Sequence, residues 1–296
     1  MIPIRYVEPV FRPPSEAESL ILPVTDGCSW NECTFCEMYT APQKRFRARD
    51  EAEVLESIRL TGERFGDQVR RVFLADGDAT VLPTRRLLTI LAAIRTHLPA
   101  VRRISSYCLP RNLRKKSQTE VDELAAAGLS LVYVGAESGD DQVLAAVHKG
   151  ETFETTREAL DKLGAAGITR SVMILNGLGG KVHSRQHAAN SALLANATQP
   201  EYLATLVVSF PLGEQRFRAG FPEWEPLSQH ELFVETEQLL AALELKRTVF
   251  RSDHASNWLV LKGTLGADKE RLLAQVRQAI ASPDKAHLRP AWARGL

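Results

Sequence analysis

Residues 20–36 read LILPVTDGCSWNECTFC, and this stretch decides the fold. Its first five residues are an apolar run of the kind that forms a buried β-strand. Three cysteines, Cys28, Cys33 and Cys36, follow the run directly. The stretch therefore predicts a strand whose carboxyl end leads into a cysteine-rich loop.

Similar runs recur along the chain and alternate with longer amphipathic stretches. Strand-like runs lie at residues 20–24, 71–75, 103–107, 131–135, 170–175 and 202–209. Apolar residues at helical spacing mark residues 51–64, 85–96, 120–127, 142–148, 154–166 and 187–197. This alternation predicts a parallel sheet, either open or curled into a barrel. Ligands bind beyond the carboxyl ends of the strands in both arrangements, so the candidate site residues follow the strands.

The two ends of the chain differ from this middle part. Residues 1–18 contain four prolines and form a predicted N-terminal extension to a barrel at residues 19–210. Residues 211–296 begin with an irregular, proline-containing segment, after which helical patterns at residues 230–245 and 268–281 flank residues 247–261. We expect this last part to be an α/β extension that packs on the barrel.

Composition narrows the class of protein. Among the 296 residues, 37 Lys and Arg residues nearly balance 36 Asp and Glu residues, so the strong positive field of most nucleic-acid binders is missing. A small-molecule partner is expected, and nucleic acid and membrane are not. No apolar run is long enough for a signal peptide or a membrane span. Crowded cysteines in such a chain favour metal ligation over disulfides and indicate a reducing cytoplasm.

The three clustered thiols allow more than one kind of metal site. Three thiolates can each hold one iron of a cubane iron–sulfur cluster and leave the fourth iron without a protein ligand. Zinc is an alternative, with the distant Cys108, His183 or His254 as the fourth ligand. A non-catalytic electron carrier or redox sensor is a third possibility, although such proteins normally shield all four irons with cysteine.

The cysteine spacing resembles that of the radical S-adenosylmethionine (SAM) superfamily. The commonest motif there is Cys-x3-Cys-x2-Cys after the first strand, with an aromatic residue before the last cysteine, and Phe35 matches that aromatic. The first gap here is four residues, as in a subgroup of Fe–S oxidoreductase-like sequences. The resemblance covers about residues 19–209. It implies a partial (β/α)6 TIM-like barrel, a [4Fe–4S] cluster on Cys28, Cys33 and Cys36, and SAM as the second cofactor.

Two acidic turns carry the resemblance further. Asp76-Gly77-Asp78 follows the second predicted strand and resembles the family's Gly-Gly-Glu element, in which the backbone and the third residue receive the SAM ammonium group. Glu137 and Ser138 belong to a Gly-x-Glu-Ser-Gly segment that resembles the oxygen-independent coproporphyrinogen oxidase and Elongator-type branches. They are expected to face the SAM ribose or amino-acid group. An ordinary turn is the alternative for Asp76-Gly77-Asp78.

Three further residues are implied as SAM contacts. Ser106 and Arg111, around the end of the third predicted strand, are expected partners of the SAM carboxylate, with a solvated loop as the alternative. Asn176 opens a glycine-rich turn after the fifth strand, where the superfamily contacts the adenosine.

The resemblance also implies the reaction. Reductive cleavage of SAM gives a 5′-deoxyadenosyl radical that abstracts hydrogen from a small-molecule substrate, and a reductant such as flavodoxin or ferredoxin supplies the electron. The class of reaction (oxidoreductase, lyase or transferase) stays open. Cys108 is the one cysteine left over, so a second cluster with cysteine ligands is not expected. It is interpreted as a small buried hydrophobic residue or as a substrate-facing thiol.

Polar residues crowd between apolar neighbours at residues 251–257 in the C-terminal part. His254 and Asn257 are candidate catalytic residues if this segment reaches the open end of the barrel. A buried, internally hydrogen-bonded turn is the alternative. Basic runs at residues 44–49 and 111–116 are either solvated surface or a place for an anionic substrate or an acidic electron donor.

Overall fold

The structure, a computed structural model, describes residues 3–294. Within that range the strands are β1 (Leu20–Pro23), β2 (Thr25–Asp26), β3 (Arg47–Ala48), β4 (Arg71–Ala75), β5 (Arg103–Tyr107), β6 (Leu129–Glu137), β7 (Thr169–Asn176), β8 (Tyr202–Val207), β9 (Val249–Ser252) and β10 (Leu261–Thr264). The α-helices are α1 (Glu51–Phe65), α2 (Thr84–His97), α3 (Gln118–Ala127), α4 (Asp141–Ala146), α5 (Phe153–Ala165), α6 (Gly180–Thr198), α7 (Gln215–Gly220), α8 (Gln229–Ala242) and α9 (Lys269–Ala281).

Eight of these strands form one sheet in the order β1-β4-β5-β6-β7-β8-β9-β10. Neighbouring strands are parallel from β1 through β4 and β5 to β6, and again from β7 through β8 to β9, whereas β9 and β10 are antiparallel. The short strands β2 and β3 make a separate antiparallel pair. The α/β fold predicted from sequence is therefore confirmed as a mostly parallel sheet, to which the C-terminal part adds two strands.

The chain divides into two compact units. The first unit takes in Met1–Asn31, Met38–Val134 and Asp161–Arg170, and the second takes in Glu32–Glu37, Gly135–Leu160 and Ser171–Leu296. We call residues 27–37 the cysteine loop. Cys28 belongs to the first unit, and Cys33 and Cys36 belong to the second. The domain boundaries predicted from sequence, after residues 18 and 210, stay predictions.

Local signals account for the helix bounds. The N-terminal ends of α3 and α8 carry capping boxes, in which Ser117 pairs with Glu120 and Ser228 pairs with Glu231. Each box satisfies two backbone N–H groups that the helix leaves unpaired, and a cap of this kind contributes about 1 kcal/mol. Gly128 ends α3 with a positive φ of 112°, a conformation that glycine adopts without a steric penalty.

The core of the first unit includes part of the N-terminal extension. Ile21, Phe73 and Ala75 are buried, and Tyr6 and Val10 pack against them. The Tyr6 hydroxyl also donates to the Ile21 carbonyl oxygen over 2.9 Å. In the second unit, Phe217, Phe221 and Trp224 pack with Val143, Val147 and Leu178 into what we call the aromatic cluster.

Candidate active site

The first half of the cysteine loop is held by Asp78, which follows β4. The Ser29 backbone N–H donates to Asp78 Oδ1 over 2.9 Å, and the Ser29 hydroxyl donates to Oδ2. The Asn112 side chain donates to the same Oδ2 over 3.2 Å and to the Thr80 hydroxyl over 2.9 Å. Asp78 is fully buried, and this burial raises its carboxyl pKa although the Ser29 and Asn112 donors oppose the shift. Three donors therefore engage this carboxylate within the first unit.

The backbone at Gly77, in the turn after β4, packs closely against the backbone at Gly27, at the start of the cysteine loop. A Cβ on Gly77, whose φ is +60°, would lie 1.8 Å from the Gly27 carbonyl oxygen, so only glycine fits there. The Gly77 N–H donates to the Tyr39 hydroxyl over 3.0 Å. One residue past Ser29, the Arg111 guanidinium lies over the Trp30 ring at 3.6 Å, a cation–π contact. The residues after β4 and β5 thus hold residues 27–30 from two sides.

Asp76 and Lys44 form a buried ion pair that the sequence did not indicate. The two side chains are 3% and 1% exposed, and Lys44 Nζ donates to Asp76 Oδ2. Lys44 belongs to a basic run that was interpreted as solvated surface or as a docking site. The neighbouring Arg45 and Arg47 are exposed, as that interpretation expects, but Lys44 is part of the interior.

Residues of the second unit hold the other half of the cysteine loop. The Thr34 N–H donates to the Val147 carbonyl oxygen over 3.0 Å. The Arg216 guanidinium, on α7, donates to the Cys36 carbonyl oxygen. The Leu212 N–H donates to Glu37 Oε2 over 3.1 Å. Part of the C-terminal extension therefore contacts the cysteine loop, but through residues 212–216 and not through His254 or Asn257.

Glu137 ends β6 in a strained conformation. Its φ is +66°, which costs free energy for any residue other than glycine. Its carboxylate lies 3.3 Å from Lys149 Nζ, and both side chains are less than a tenth exposed. Burial raises the Glu137 pKa, and the Lys149 charge partly opposes that shift. Lys149 Nζ also lies 5.9 Å from the centre of the Phe35 ring, which packs against the aromatic cluster.

A buried chain of polar groups continues from the residue after Glu137. The Ser138 hydroxyl lies 2.8 Å from His187 Nδ1, and His187 Nε2 lies 4.0 Å from Glu235 Oε1. The same Glu235 oxygen accepts from the Gly177 N–H over 2.6 Å. Glu235, on α8, therefore fixes the glycine-rich turn after β7. Glu235 was not a candidate from sequence.

Ser106 and Asn176 are engaged by neighbours within their own units. The buried Ser106 hydroxyl lies 3.1 Å from the Leu74 carbonyl oxygen and 2.9 Å from the Tyr107 carbonyl oxygen. The Asn176 amide donates to the Thr236 hydroxyl over 3.1 Å. These contacts support the strands and the turn, and the expected contacts with SAM stay predictions.

His254 and Asn257 belong to a hydrogen-bonded turn. The Asn257 side chain is buried, donates to the Thr205 carbonyl oxygen over 2.8 Å and accepts from the Val207 N–H over 3.0 Å. His254 Nδ1 lies 3.0 Å from the Ser256 hydroxyl. These contacts favour the buried turn that was the alternative from sequence, and a catalytic role for either residue stays a prediction.

The thiols suit an iron–sulfur cluster by their chemistry and by their position in the chain, on a loop after the first strands. Cys33 is buried and Cys28 and Cys36 are half-buried, on a loop that follows β2. Thiolates are the ligands that such clusters prefer. Between residues 3 and 294, no group of three or more His, Cys, Asp or Glu side chains is arranged to hold a metal ion. The ligand assignment therefore rests on the donor set and stays a prediction.

Sequence reasoning missed Ser29, Asn112, Lys149, Arg216 and Glu235. Ser29 lies inside the quoted cysteine stretch and Asn112 follows β5, so their positions gave a usable signal. Arg216 lies in a segment interpreted as irregular. Glu235 is one acid among several on an amphipathic helix, and nothing in its neighbourhood distinguishes it.

Residues 22–192, more than half of the chain, match the family described as the radical SAM superfamily. The chain belongs to the radical SAM superfamily, so the predicted family is confirmed. No curated protein matches it. In the part of the chain that the structure describes, no helix is long and apolar enough to cross a membrane.

Solved structures share the fold at low sequence identity. The methyltransferase TsrM from Kitasatospora setae, described with cobalamin and a [4Fe-4S] cluster bound, is 20% identical with a TM-score of 0.52, over 63% of this chain and 34% of that one. Coproporphyrinogen III oxidase (HemN) from Escherichia coli is 16% identical with a TM-score of 0.56, over 75% of this chain and 52% of that one. Methylornithine synthase (PylB) is 14% identical with a TM-score of 0.55, over 92% of this chain and 74% of that one.

This chain thus spans about a third of the TsrM structure and about half of the HemN structure. At such identities the likeness shows the fold alone, and it confirms the prediction of a partial TIM-like barrel. The predicted cofactors, a [4Fe–4S] cluster and SAM, are confirmed at the level of the family. Radical SAM enzymes are catalytic, act on small molecules and need a reductant.

Proposed function

We propose that this chain is a radical SAM enzyme that abstracts hydrogen from a small-molecule substrate, with Cys28, Cys33 and Cys36 as the ligands of its cluster. The observation that carries the proposal is the three-thiol loop after β1 and β2, near the start of the matched region at residues 22–192. When bound, the cluster and SAM supply the radical chemistry, in which one-electron reduction of SAM gives methionine and a 5′-deoxyadenosyl radical.

Asp78 has the task of holding the loop in this proposal. Its carboxylate accepts from Ser29 N–H and Ser29 Oγ, so it fixes the residue next to Cys28. A charge-assisted hydrogen bond of this kind contributes about 1.5–3 kcal/mol. The contact supports a positioning role for Asp78, in place of the direct contact with the SAM ammonium group expected from sequence.

Glu137 has the task of binding SAM. Among the described residues its carboxylate has one hydrogen-bond partner, Lys149, so it keeps capacity to accept from an ammonium or hydroxyl group. Its strained φ of +66° is the kind of outlier that clusters at ligand sites. Arg111, stacked on Trp30, is proposed to bind the SAM carboxylate.

Electrons are proposed to come from an acidic flavodoxin or ferredoxin that docks at β3. Arg45 and Arg47 are exposed there beside the exposed Phe46, and β3 pairs with β2, which ends two residues before Cys28. The opposite charges of the two proteins would steer their encounter and make it sensitive to salt.

Anaerobic reconstitution tests the function. The protein is expected to bind about four irons and, with SAM and dithionite, to form 5′-deoxyadenosine and methionine. Alanine at Cys28, Cys33 or Cys36 should abolish both results, whereas Cys108→Ala should keep them. Iron loss in the Cys108 variant alone, or bound zinc without iron, would contradict the assignment. Candidate substrates labelled with deuterium are then screened for transfer of the label to 5′-deoxyadenosine.

A further inference from the structure

The segment around α7 contacts the cysteine loop at two adjacent residues. Arg216 donates to the Cys36 carbonyl oxygen, and the Leu212 N–H donates to the Glu37 side chain over 3.1 Å. We call residues 212–220 the α7 segment. Both hydrogen bonds run in the same direction: the α7 segment donates, and a carbonyl oxygen and a carboxylate of the loop accept.

Packing fixes this segment against the same loop. Phe217 is fully buried in the aromatic cluster, against which Phe35 also packs. A Cβ on Gly220 would lie 2.8 Å from the Thr34 side chain and 3.0 Å from the Ala146 carbonyl oxygen, so the helix end meets the loop without a gap. Packing at Phe217 and at Gly220 therefore fixes α7 in the position from which Arg216 contacts Cys36.

Arg216 also brings a positive charge to a proposed cluster ligand. Reduction adds an electron to the cluster, and nearby positive charge and hydrogen bonds favour the reduced form. Arg218, the other cation of α7, makes different contacts, since it pairs with Glu214 over 2.8 Å and donates to the Trp224 carbonyl oxygen over 3.0 Å. Arg216 is thus the α7 cation that contacts a cysteine.

We propose that the α7 segment clamps the Cys36 half of the loop, and that Arg216 is a positioning residue that retains the cluster and raises its reduction potential. The inference rests on the proposed function only in taking Cys36 as a ligand. It assigns the C-terminal part of the chain a task in cluster retention that is independent of which substrate the enzyme uses.

The experiment compares Arg216→Ala, Arg216→Lys and the control Arg218→Ala in the full-length chain. Three quantities are measured without SAM: the reduction potential by redox titration followed by electron paramagnetic resonance, the rate of iron loss to a chelator, and hydrogen exchange of residues 32–37. Arg216→Ala should lower the reduction potential. It should also increase the rates of iron loss and of hydrogen exchange roughly ten-fold or more, because one charge-assisted hydrogen bond is lost. Arg216→Lys keeps the charge and should restore most of the potential. Arg218→Ala removes a cation that contacts Glu214 and Trp224, so it should leave the potential at the wild-type value.

A wild-type potential and wild-type iron loss in Arg216→Ala would overturn the proposal, and so would equal changes in Arg218→Ala. Failure of the proposed function is a separate result, seen as a cluster-bearing wild-type protein that forms no 5′-deoxyadenosine. If the chain binds no cluster, hydrogen exchange of the apo-protein decides the clamp, and unchanged exchange in both Arg216 variants overturns it. Thermal melts identify any variant that fails to fold. If Arg216→Ala fails to fold, Arg216→Gln, which also removes the charge, replaces it, and a wild-type potential with wild-type iron loss in that variant overturns the proposal.

Discussion

Asp78, in the turn after β4, and Glu137, at the end of β6, each resemble a SAM ligand of the family, yet their surroundings differ. Asp78 accepts from Ser29 N–H, Ser29 Oγ and Asn112 within its unit. Glu137 has one described partner, Lys149, and a strained backbone. Burial raises the pKa of both carboxyl groups, so neither burial nor pKa tells them apart.

The difference lies in the hydrogen bonds that each carboxylate already makes. A carboxylate that already accepts several hydrogen bonds from its own chain stabilises a loop, whereas one with most of its acceptor positions unused can bind a ligand. Resemblance to a motif therefore predicts where an acidic residue lies in the fold better than it predicts which group that residue binds. We therefore propose that Asp78 holds the cysteine loop and that Glu137 binds SAM.

The largest expected effect comes from Asp78→Ala. The substitution leaves Ser29 and Asn112 without their acceptor, so we expect a loss of roughly 3 kcal/mol of stability and of most of the bound iron. Iron content and urea unfolding measure this. Ser29→Ala, which removes one donor, should show a smaller loss in the same direction. Full iron with weakened SAM binding would reverse the comparison and restore the role expected from sequence.

Glu137→Gln should act on SAM and spare the cluster. Loss of one charged acceptor weakens SAM binding roughly ten- to a hundredfold, while iron content stays at the wild-type level. Because burial raises the Glu137 pKa, wild-type SAM affinity should fall on acidification at a higher pH than for an ordinary carboxyl, and the variant should lose this dependence. Calorimetric titration between neutral and mildly acidic pH measures both effects. Equal iron loss in Glu137→Gln and Asp78→Ala would remove the distinction.

Asn257→Ala extends the comparison to a third polar group that is already engaged. Asn257 bonds to Thr205, Val207 and Ser252, so its removal leaves buried partners unsatisfied and should cost about 1–3 kcal/mol. The thermal melting temperature should drop by several degrees while SAM cleavage per folded molecule is kept. An unchanged melting temperature with lost turnover would instead support the catalytic role expected from sequence.

The smallest effect concerns His254 and pH. Burial first, and then the Arg289 charge, lower the His254 pKa from its ordinary 6.5, with Asp253 opposing the shift. The unfolded chain therefore takes up the proton first, so stability present above pH 6.5 is lost as the pH falls through the lowered pKa. Since His254 is only half-buried, we expect less than about 1 kcal/mol. Urea unfolding at neutral and mildly acidic pH should show less acid sensitivity in His254→Gln than in wild type.

Much of the fold could be predicted because side-chain burial leaves a periodic record in the sequence. β4 and β5 have the predicted bounds, at Arg71–Ala75 and Arg103–Tyr107. The prediction started α6 at residue 187, whereas the helix begins at Gly180, because glycine and polar residues conceal its first turns. The short α7 was missed because, among its residues, Phe217 alone is buried.

The sequence by itself determined the family, the alternation of strands and helices, and the three-thiol loop, since each depends on residue types at short spacing. Only the tertiary structure decided how the loop is held. Asp78 reaches Ser29 across 49 positions, and Arg216 reaches Cys36 across 180. A hydrogen bond between distant residues leaves no periodic pattern in either segment, because one polar residue satisfies it wherever the fold brings the two groups together.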